Sequence, residues 1–278
     1  MGKAKIKNNG FDPCWMGVYE YLLEEIRRHG SIHLTLLDPD KIDIEKFIEL
    51  SRNAERSGSS AIMVGGSLGV NERLLDDYLE AAKKEVKIPF ILFPGNIAGL
   101  SNKADALFYL SVLNSLDPYY IIGAQVQASI LIAKRYRSLD IIPMAYIIVG
   151  EGGAAGYVSN ARMLPFERDD IIIAYALAAK YLGFSVIYLE AGSGAKEPMR
   201  PSIIAKMKKL VDKPVMVGGG IRTPEVAYSI ALAGADMVVT GTVVEESPSM
   251  ILSDIVNAVH KGGMDRIGSD LGNKEPKQ

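Results

Sequence analysis

Two glycine-bearing turns a short distance apart in the chain indicate what it can bind. Residues 214–242 read PVMVGGGIRTPEVAYSIALAGADMVVTGT: an apolar strand ending in Gly218, Gly219 and Gly220, a helix, then a second apolar strand ending in Gly241 and Thr242. Without a Cβ the backbone can approach an anion closely. Thr223 and Pro224 start the helix with an N-cap and a first-turn proline, which directs partial positive charge at the same place. One such turn is common, but two in successive strand–helix units form convergent amide nests of the kind that hold a phosphate monoester.

Two carboxylates add reactive chemistry. In HLTLLDPDK, residues 33–41, Asp38 leaves a strand at the end where barrel enzymes build their sites. It suits a hard divalent cation, because Mg2+ takes one or two protein carboxylates and leaves its other positions to substrate phosphates. Asp40 reads as an N-cap or turn former. Ser67, closing the VGGS run, can complete a metal shell, hold a phosphate oxygen or cap a helix. In YLEAGSG, residues 188–194, Glu190 passes from an apolar strand into small residues, where it can hydrogen-bond a polyol and accept a proton. A salt bridge or cap would also satisfy it. His33 starts a strand at the face that serves stability, and the methionines at 63, 144, 163, 207, 216 and 237 read as core filling.

These residues need a scaffold that brings strand ends together. Apolar runs suited to strands recur at 33–37, 61–64, 90–93, 106–110, 141–149, 186–189, 215–217 and 237–240. Most lack strict alternation, as expected of parallel strands covered on both faces. Helical periodicity fills the intervals at 44–57, 71–84, 118–135, 169–182, 201–210 and 224–233, with a leading helix at 15–28 and a closing one at 249–260. The alternation predicts an α/β fold, a closed (β/α)8 barrel, with an open doubly wound sheet as the competitor. Between 93 and 106, Pro94, Gly95, Gly99 and a polar cluster leave little room for a helix, so the third outer helix is expected to be a short irregular connection. The glycine-bearing stretch 150–168 has the length of a lid or binding loop. One domain is expected over 1–262, with a mobile tail at 263–278.

Bulk properties exclude several classes. The chain has 278 residues, 48% of them hydrophobic, which suffices for one barrel and its core. A net charge of -2 with no long basic run gives nucleic acid nothing to grip. Cys14 is the single cysteine, so neither a disulfide framework nor a cysteine zinc site is available, and a reducing cytoplasm is the expected compartment. No stretch reads as a spanning helix or signal peptide. No stable membrane insertion is expected.

Taken together, HLTLLDPDK, the VGGS at 64–67, SVLNS at 111–115, YLEAGSG, VGGGI at 217–221 and VVTGT at 238–242 resemble the geranylgeranylglyceryl phosphate synthase family, related to the bacterial heptaprenylglyceryl phosphate synthases. The resemblance implies a modified TIM barrel. It also implies transfer of a geranylgeranyl group from its diphosphate to the 3-hydroxyl of sn-glycerol 1-phosphate, with Mg2+ as cofactor. A homo-oligomer is expected. By this resemblance Asp38 and Ser67 hold the metal. The glycerol phosphate falls to Tyr188, Leu189, Glu190, Ala191, Gly192, Ser193 and Gly194, with Gly219, Gly220, Gly241 and Thr242. From their own chemistry at the strand ends, Glu190 and Asp38 are the expected catalytic residues. Some members carry a lysine two residues before the metal aspartate, where this chain has Leu36.

A C20 tail cannot enter a barrel interior filled with side chains, so it must run along the outer wall, and the short 94–105 connection offers an opening. At about 0.8 kcal/mol per buried CH2-sized unit, such a tail can contribute on the order of 10 kcal/mol before ordering costs. Tyr119 or Tyr120, beside that opening, is the expected stop that sets chain length. The alternatives are a phosphosugar isomerase or aldolase on the same barrel, and a barrel that only senses a phospholigand.

Overall fold

The computed structural model describes residues 17–66, 69–242 and 249–272. Eight strands, β1 (Ile32–Leu37), β2 (Ala61–Val64), β3 (Phe90–Leu92), β4 (Ala106–Val112), β5 (Asp140–Ile148), β6 (Val186–Glu190), β7 (Val215–Gly218) and β8 (Met237–Thr240), close in sequence order into a barrel. Every neighbouring pair is parallel, and β8 returns to β1 with Ile32 opposite Met237 and Thr35 opposite Thr240. That last pairing rules out the open sheet.

The strand period of two divides each strand between two cores. Ile32, Leu34, Met63, Phe108, Met144, Met216 and Val239 fill the barrel interior. Leu37, Val64, Leu92, Val217 and Val238 face outward against the helices. Both faces are buried, which is why the strands read as unbroken apolar runs. His33 is among the outward residues, fully buried, with Nδ1 2.8 Å from Ser59 Oγ and Nε2 2.8 Å from Thr240 Oγ1. Its role is structural, as its place at the strand start implies.

Outside the barrel lie α2 (Ile44–Arg56), α3 (Glu72–Ala82), α4 (Ala124–Arg135), α6 (Asp169–Tyr181), α7 (Pro201–Lys208) and α8 (Pro224–Ala233), with a short α5 (Gly153–Val158) above β5. Asp43 and Asn71 cap α2 and α3 by accepting from the Lys46 and Leu74 amides. The leading helix α1 (Val18–His29) closes the barrel floor: Val18 and Leu22 join the interior core, and the Tyr19 hydroxyl donates to the Ser185 carbonyl. No helix forms between β3 and β4, where residues 93–105 run as bends and turns. The region expected as one helix over 118–135 instead begins with a π turn, Tyr119–Gly123, before α4.

The closing helix α9 (Ser249–Gly272) overturns the expectation of a mobile tail from 263. Gly262 and Gly263, which lie past the end expected for the closing helix, are contact glycines: both are buried, and a Cβ on Gly262 would sit 2.5 Å from the Tyr228 carbonyl oxygen. The missing side chains let α9 lie close on α8 and on the Gly30–Ser31 backbone. Beyond that contact, Asp265 accepts from the Tyr228 hydroxyl and Arg266 donates to Asp236 at 3.2 Å. Residues 273–278 lie outside the described residues.

Candidate active site

The C-terminal ends of the strands open into a cleft of about 1190 Å³. Asp38, Tyr188, Glu190, Ser193, Gly194, Gly219, Gly220, Gly241 and Thr242 all line it. Of the expected site residues, Ser67 lies outside the described residues, and Leu189, Ala191 and Gly192 do not line the cleft. Leu189 belongs to the outward-facing core by strand alternation. Ala191 has its amide on the Gly218 carbonyl and its carbonyl accepting from the Gly152 amide, so both backbone groups serve the fold. Gly192, at φ 110°, uses its amide on Glu190 Oε1 at 2.7 Å. Its bare Cα lets the backbone of the 150–153 turn pack against it: a Cβ there would meet the Gly153 nitrogen at 2.6 Å.

Glu190 sits at the centre of a buried hydrogen-bonded group. Burial pushes its carboxyl above the usual range, while the Tyr188 hydroxyl, the Gly192 amide and the Tyr146 hydroxyl, all donating to it, pull it back. The two phenols are held far above their ordinary range, by burial first and by the Glu190 charge next, so they stay protonated as donors. Tyr146 was not among the residues read from the sequence, where it looks like a core aromatic. Its register partner across β5 and β6 is Tyr188, and that equivalence of height on two neighbouring strands was the available signal. Phe93 completes the group, its ring centroid 5.4 Å from that of Tyr146 and 5.8 Å from that of Tyr188.

Above β6, β7 and β8 the two nests converge. Gly219 and Gly220 adopt φ 87° and 70°, conformations that side chains resist, and Ser193 Oγ reaches Thr242 Oγ1 at 3.2 Å across the rim. Thr223 caps α8 by accepting from the Val226 amide, with Pro224 in the first turn.

At the end of β1, the strand that pairs with β8, Asp38 pairs with the Lys41 ammonium. Asp40 serves the neighbouring loop, accepting from the Gly69 amide at 3.3 Å. Among the described residues no three His, Cys, Asp or Glu side chains converge as a metal cluster. A cation at Asp38 would therefore complete its shell from substrate oxygens and water. The carboxylate could take Mg2+ in that way, with Lys41 giving up its place beside it.

The cleft continues into a second, apolar cavity of about 470 Å³ in the wall beside β4, bounded by the 94–100 connection and α4. Pro94, Gly95, Leu110 and Tyr120 line both. Beyond them the groove is bounded by Ile97, Leu100, Leu107 and Ala128. Tyr120 stands at the junction, whereas Tyr119 packs edge-on against it and lines neither cavity. The 150–168 segment covers the cleft from above, contributing Ala154, Ala155 and Val158 of α5. Asn114 fixes that cover by donating to the Ile148 and Arg162 carbonyls at 2.9 and 3.0 Å, which gives the SVLNS run a structural role.

Residues 24–259 match the PcrB family. The chain is 62% identical over 255 residues to geranylgeranylglyceryl phosphate synthase of Caldivirga maquilingensis, covering 91% of this chain and 96% of that one. It is 50% identical to the synthase of Thermofilum pendens, over 90% of this chain and 97% of that one. Among solved structures, (S)-3-O-geranylgeranylglyceryl phosphate synthase from Thermoplasma acidophilum, in complex with its substrate sn-glycerol-1-phosphate, superposes with a TM-score of 0.85 at 39% identity, over 88% of this chain and 99% of that one. Agreement in sequence and fold over nearly the whole barrel assigns this chain to the PcrB family, together with the geranylgeranylglyceryl phosphate synthases.

Proposed function

We propose that this chain is a prenyltransferase that joins geranylgeranyl diphosphate to the 3-hydroxyl of sn-glycerol 1-phosphate and releases diphosphate, forming the first ether bond of archaeal-type membrane lipids. The observation that carries the reading is the continuity of a phosphate-nesting cleft with an apolar groove through Pro94, Gly95, Leu110 and Tyr120. A phosphosugar isomerase or aldolase has no use for such a groove. A Schiff-base lysine is also missing from the described lining, whose one lysine, Lys41, is paired with Asp38.

The glycerol phosphate seats its phosphate between the Gly219–Gly220 and Gly241–Thr242 turns, where backbone amides and the Ser193 and Thr242 hydroxyls supply donors. Its 3-hydroxyl then points to Glu190. The carboxylate, made more basic by burial and held in place by Tyr146, Tyr188 and Gly192, accepts the hydroxyl proton as oxygen attacks the allylic carbon. The new C–O bond forms as the bond to diphosphate breaks, and the bonding electrons leave on diphosphate. The faces of Phe93, Tyr146 and Tyr188 offer π density to the positive charge that develops on the allyl group. Asp38 would hold Mg2+, which supplies charge neutralisation to the departing diphosphate. Ala154, Ala155 and Val158 limit water entry and so disfavour hydrolysis.

Under the same reading the enzyme works in the cytoplasm as a homo-oligomer and meets a membrane only as product leaves. Among the described residues no helix is long and apolar enough to cross one. Incubation with Mg2+, labelled sn-glycerol 1-phosphate and a ladder of prenyl diphosphates tests the assignment. The expected result is a prenyl ether, formed best with the C20 donor, and one diphosphate released per ether. Absence of ether product at every chain length would overturn it.

A further inference from the structure

We propose that Arg222 supplies the cationic charge that recognises the phosphate of sn-glycerol 1-phosphate, an inference that rests on the function proposed above. The described lining of the cleft contains two cations, Lys41 and Arg222. Lys41 belongs to the Asp38 end of the cleft, where the diphosphate and its Mg2+ are proposed to sit. Arg222 is held differently: its guanidinium donates to the Gly194 carbonyl at 3.0 Å, and among the described residues it forms no ion pair with a carboxylate. A neutral carbonyl orients the guanidinium without cancelling its charge.

Its position is equally specific. Arg222 follows Gly219, Gly220 and Ile221 and precedes the Thr223 cap of α8, so it stands beside the nest, and its side chain bridges to the loop that carries Ser193. The phosphate monoester of the substrate carries nearly two negative charges at neutral pH. Amide nests supply donors but only partial charge, whereas a guanidinium fork matches phosphate oxygens in both charge and geometry. Leu36 makes this role more important. It lies under the β8 turn, its Cβ 3.5 Å from where a Gly241 Cβ would stand, and it brings no charge to that end of the cleft.

Calorimetric titration of the full chain with sn-glycerol 1-phosphate tests the proposal, using wild type, Arg222→Gln, Arg222→Lys and the double variant Arg222→Gln with Leu36→Lys. Loss of a charge-assisted hydrogen bond corresponds to a rise in Kd of about tenfold or more for Arg222→Gln. KM for geranylgeranyl diphosphate should stay near its wild-type value. Arg222→Lys, at an exposed position, should recover part of the affinity. So should Leu36→Lys, which restores charge near the β8 turn without restoring the bond to Gly194. Wild-type affinity in Arg222→Gln would overturn the proposal. So would a loss that neither lysine repairs, because that would reduce Arg222 to a tie between loops. Failure of the wild type itself to bind sn-glycerol 1-phosphate would instead sink the functional reading beneath it.

Discussion

The rim above β6, β7 and β8 and the wall beside β4 line one continuous space but are made in opposite ways. At the rim, recognition is built from backbone: glycines at positive φ, amides, two hydroxyls 3.2 Å apart and a buried carboxylate fixed by two phenols. At the wall it comes from an omission, since residues 93–105 form no helix and leave Leu100, Leu107 and Ala128 facing a groove. A rim of this kind discriminates chemically, one donor to one oxygen. A groove discriminates by length and shape, and its free energy grows with the apolar area it covers. The two halves of the reaction should therefore fail separately.

The largest effect is expected where the halves meet. Asp38→Asn keeps the volume of the side chain but removes a metal-binding charge, and should abolish turnover at ordinary Mg2+ with the melting temperature preserved; steady-state assays with a thermal melt check this. Glu190→Gln should lower kcat by roughly 100-fold or more, the lower range for loss of a general base, with prenyl diphosphate affinity held. An equal loss for both substrates would mark Glu190 as structural and blur the division between rim and wall.

At the rim, Gly241→Val is a cleaner probe than Gly220→Val. Gly220 has φ 70°, and a Cβ there would meet the Pro198 nitrogen at 2.9 Å, so that variant strains the fold. A Cβ on Gly241 has only ordinary contacts, the nearest being the Leu36 carbonyl oxygen at 3.4 Å. Gly241→Val should raise KM for glycerol phosphate on the order of tenfold, as expected for a charged hydrogen bond lost from the phosphate, and leave the prenyl donor unaffected. At the wall, Tyr120→Ala should lengthen the accepted prenyl chain while the C20 donor still reacts, and Tyr119→Ala should leave the product ladder unchanged. An unaltered ladder in both variants would remove the stop from this junction.

The smallest effect on catalysis lies on neither side of the comparison and serves as its control. Burial pushes the His33 imidazole down to about 3, and burial with the neighbouring His29 takes His260 to about 4. Both values lie below that of the unfolded chain, so the unfolded state binds the extra protons. Stability is then full above pH 6.5 and is lost as pH falls towards these values, by up to about 1.4 kcal/mol per pH unit for His33. His260 contributes less, because solvent screens it. Melting temperature against pH for wild type and His33→Gln should show the flatter acid limb in the variant. Identical limbs would contradict this.

Much of this molecule was legible before its structure. Ala61–Val64, Met237–Thr240 and Pro224–Ala233 appear with the bounds read from the sequence, because parallel strands buried on both faces and a Thr-Pro helix start leave local marks. The gap after β3 was legible as well, since Pro94, Gly95 and Gly99 are punctuation visible in one dimension. What escaped depended on neighbours distant in sequence. Gly262 and Gly263 look like part of a polar tail until α8 is placed against them, and Tyr146 looks like core until β6 brings Tyr188 beside it. Leu189 was included with its motif, but strand alternation turns its side chain away from the cleft.

The division of labour between rim and wall is tested most directly by a structure with sn-glycerol 1-phosphate and geranylgeranyl thiolodiphosphate, whose C–S bond resists ionisation. The account predicts phosphate density against the Gly219–Gly220 and Gly241–Thr242 turns, the glycerol 3-hydroxyl on Glu190, and a tail that passes Tyr120 into the groove between the 94–100 connection and α4. A tail lying anywhere else, or a phosphate away from both glycine turns, would contradict it.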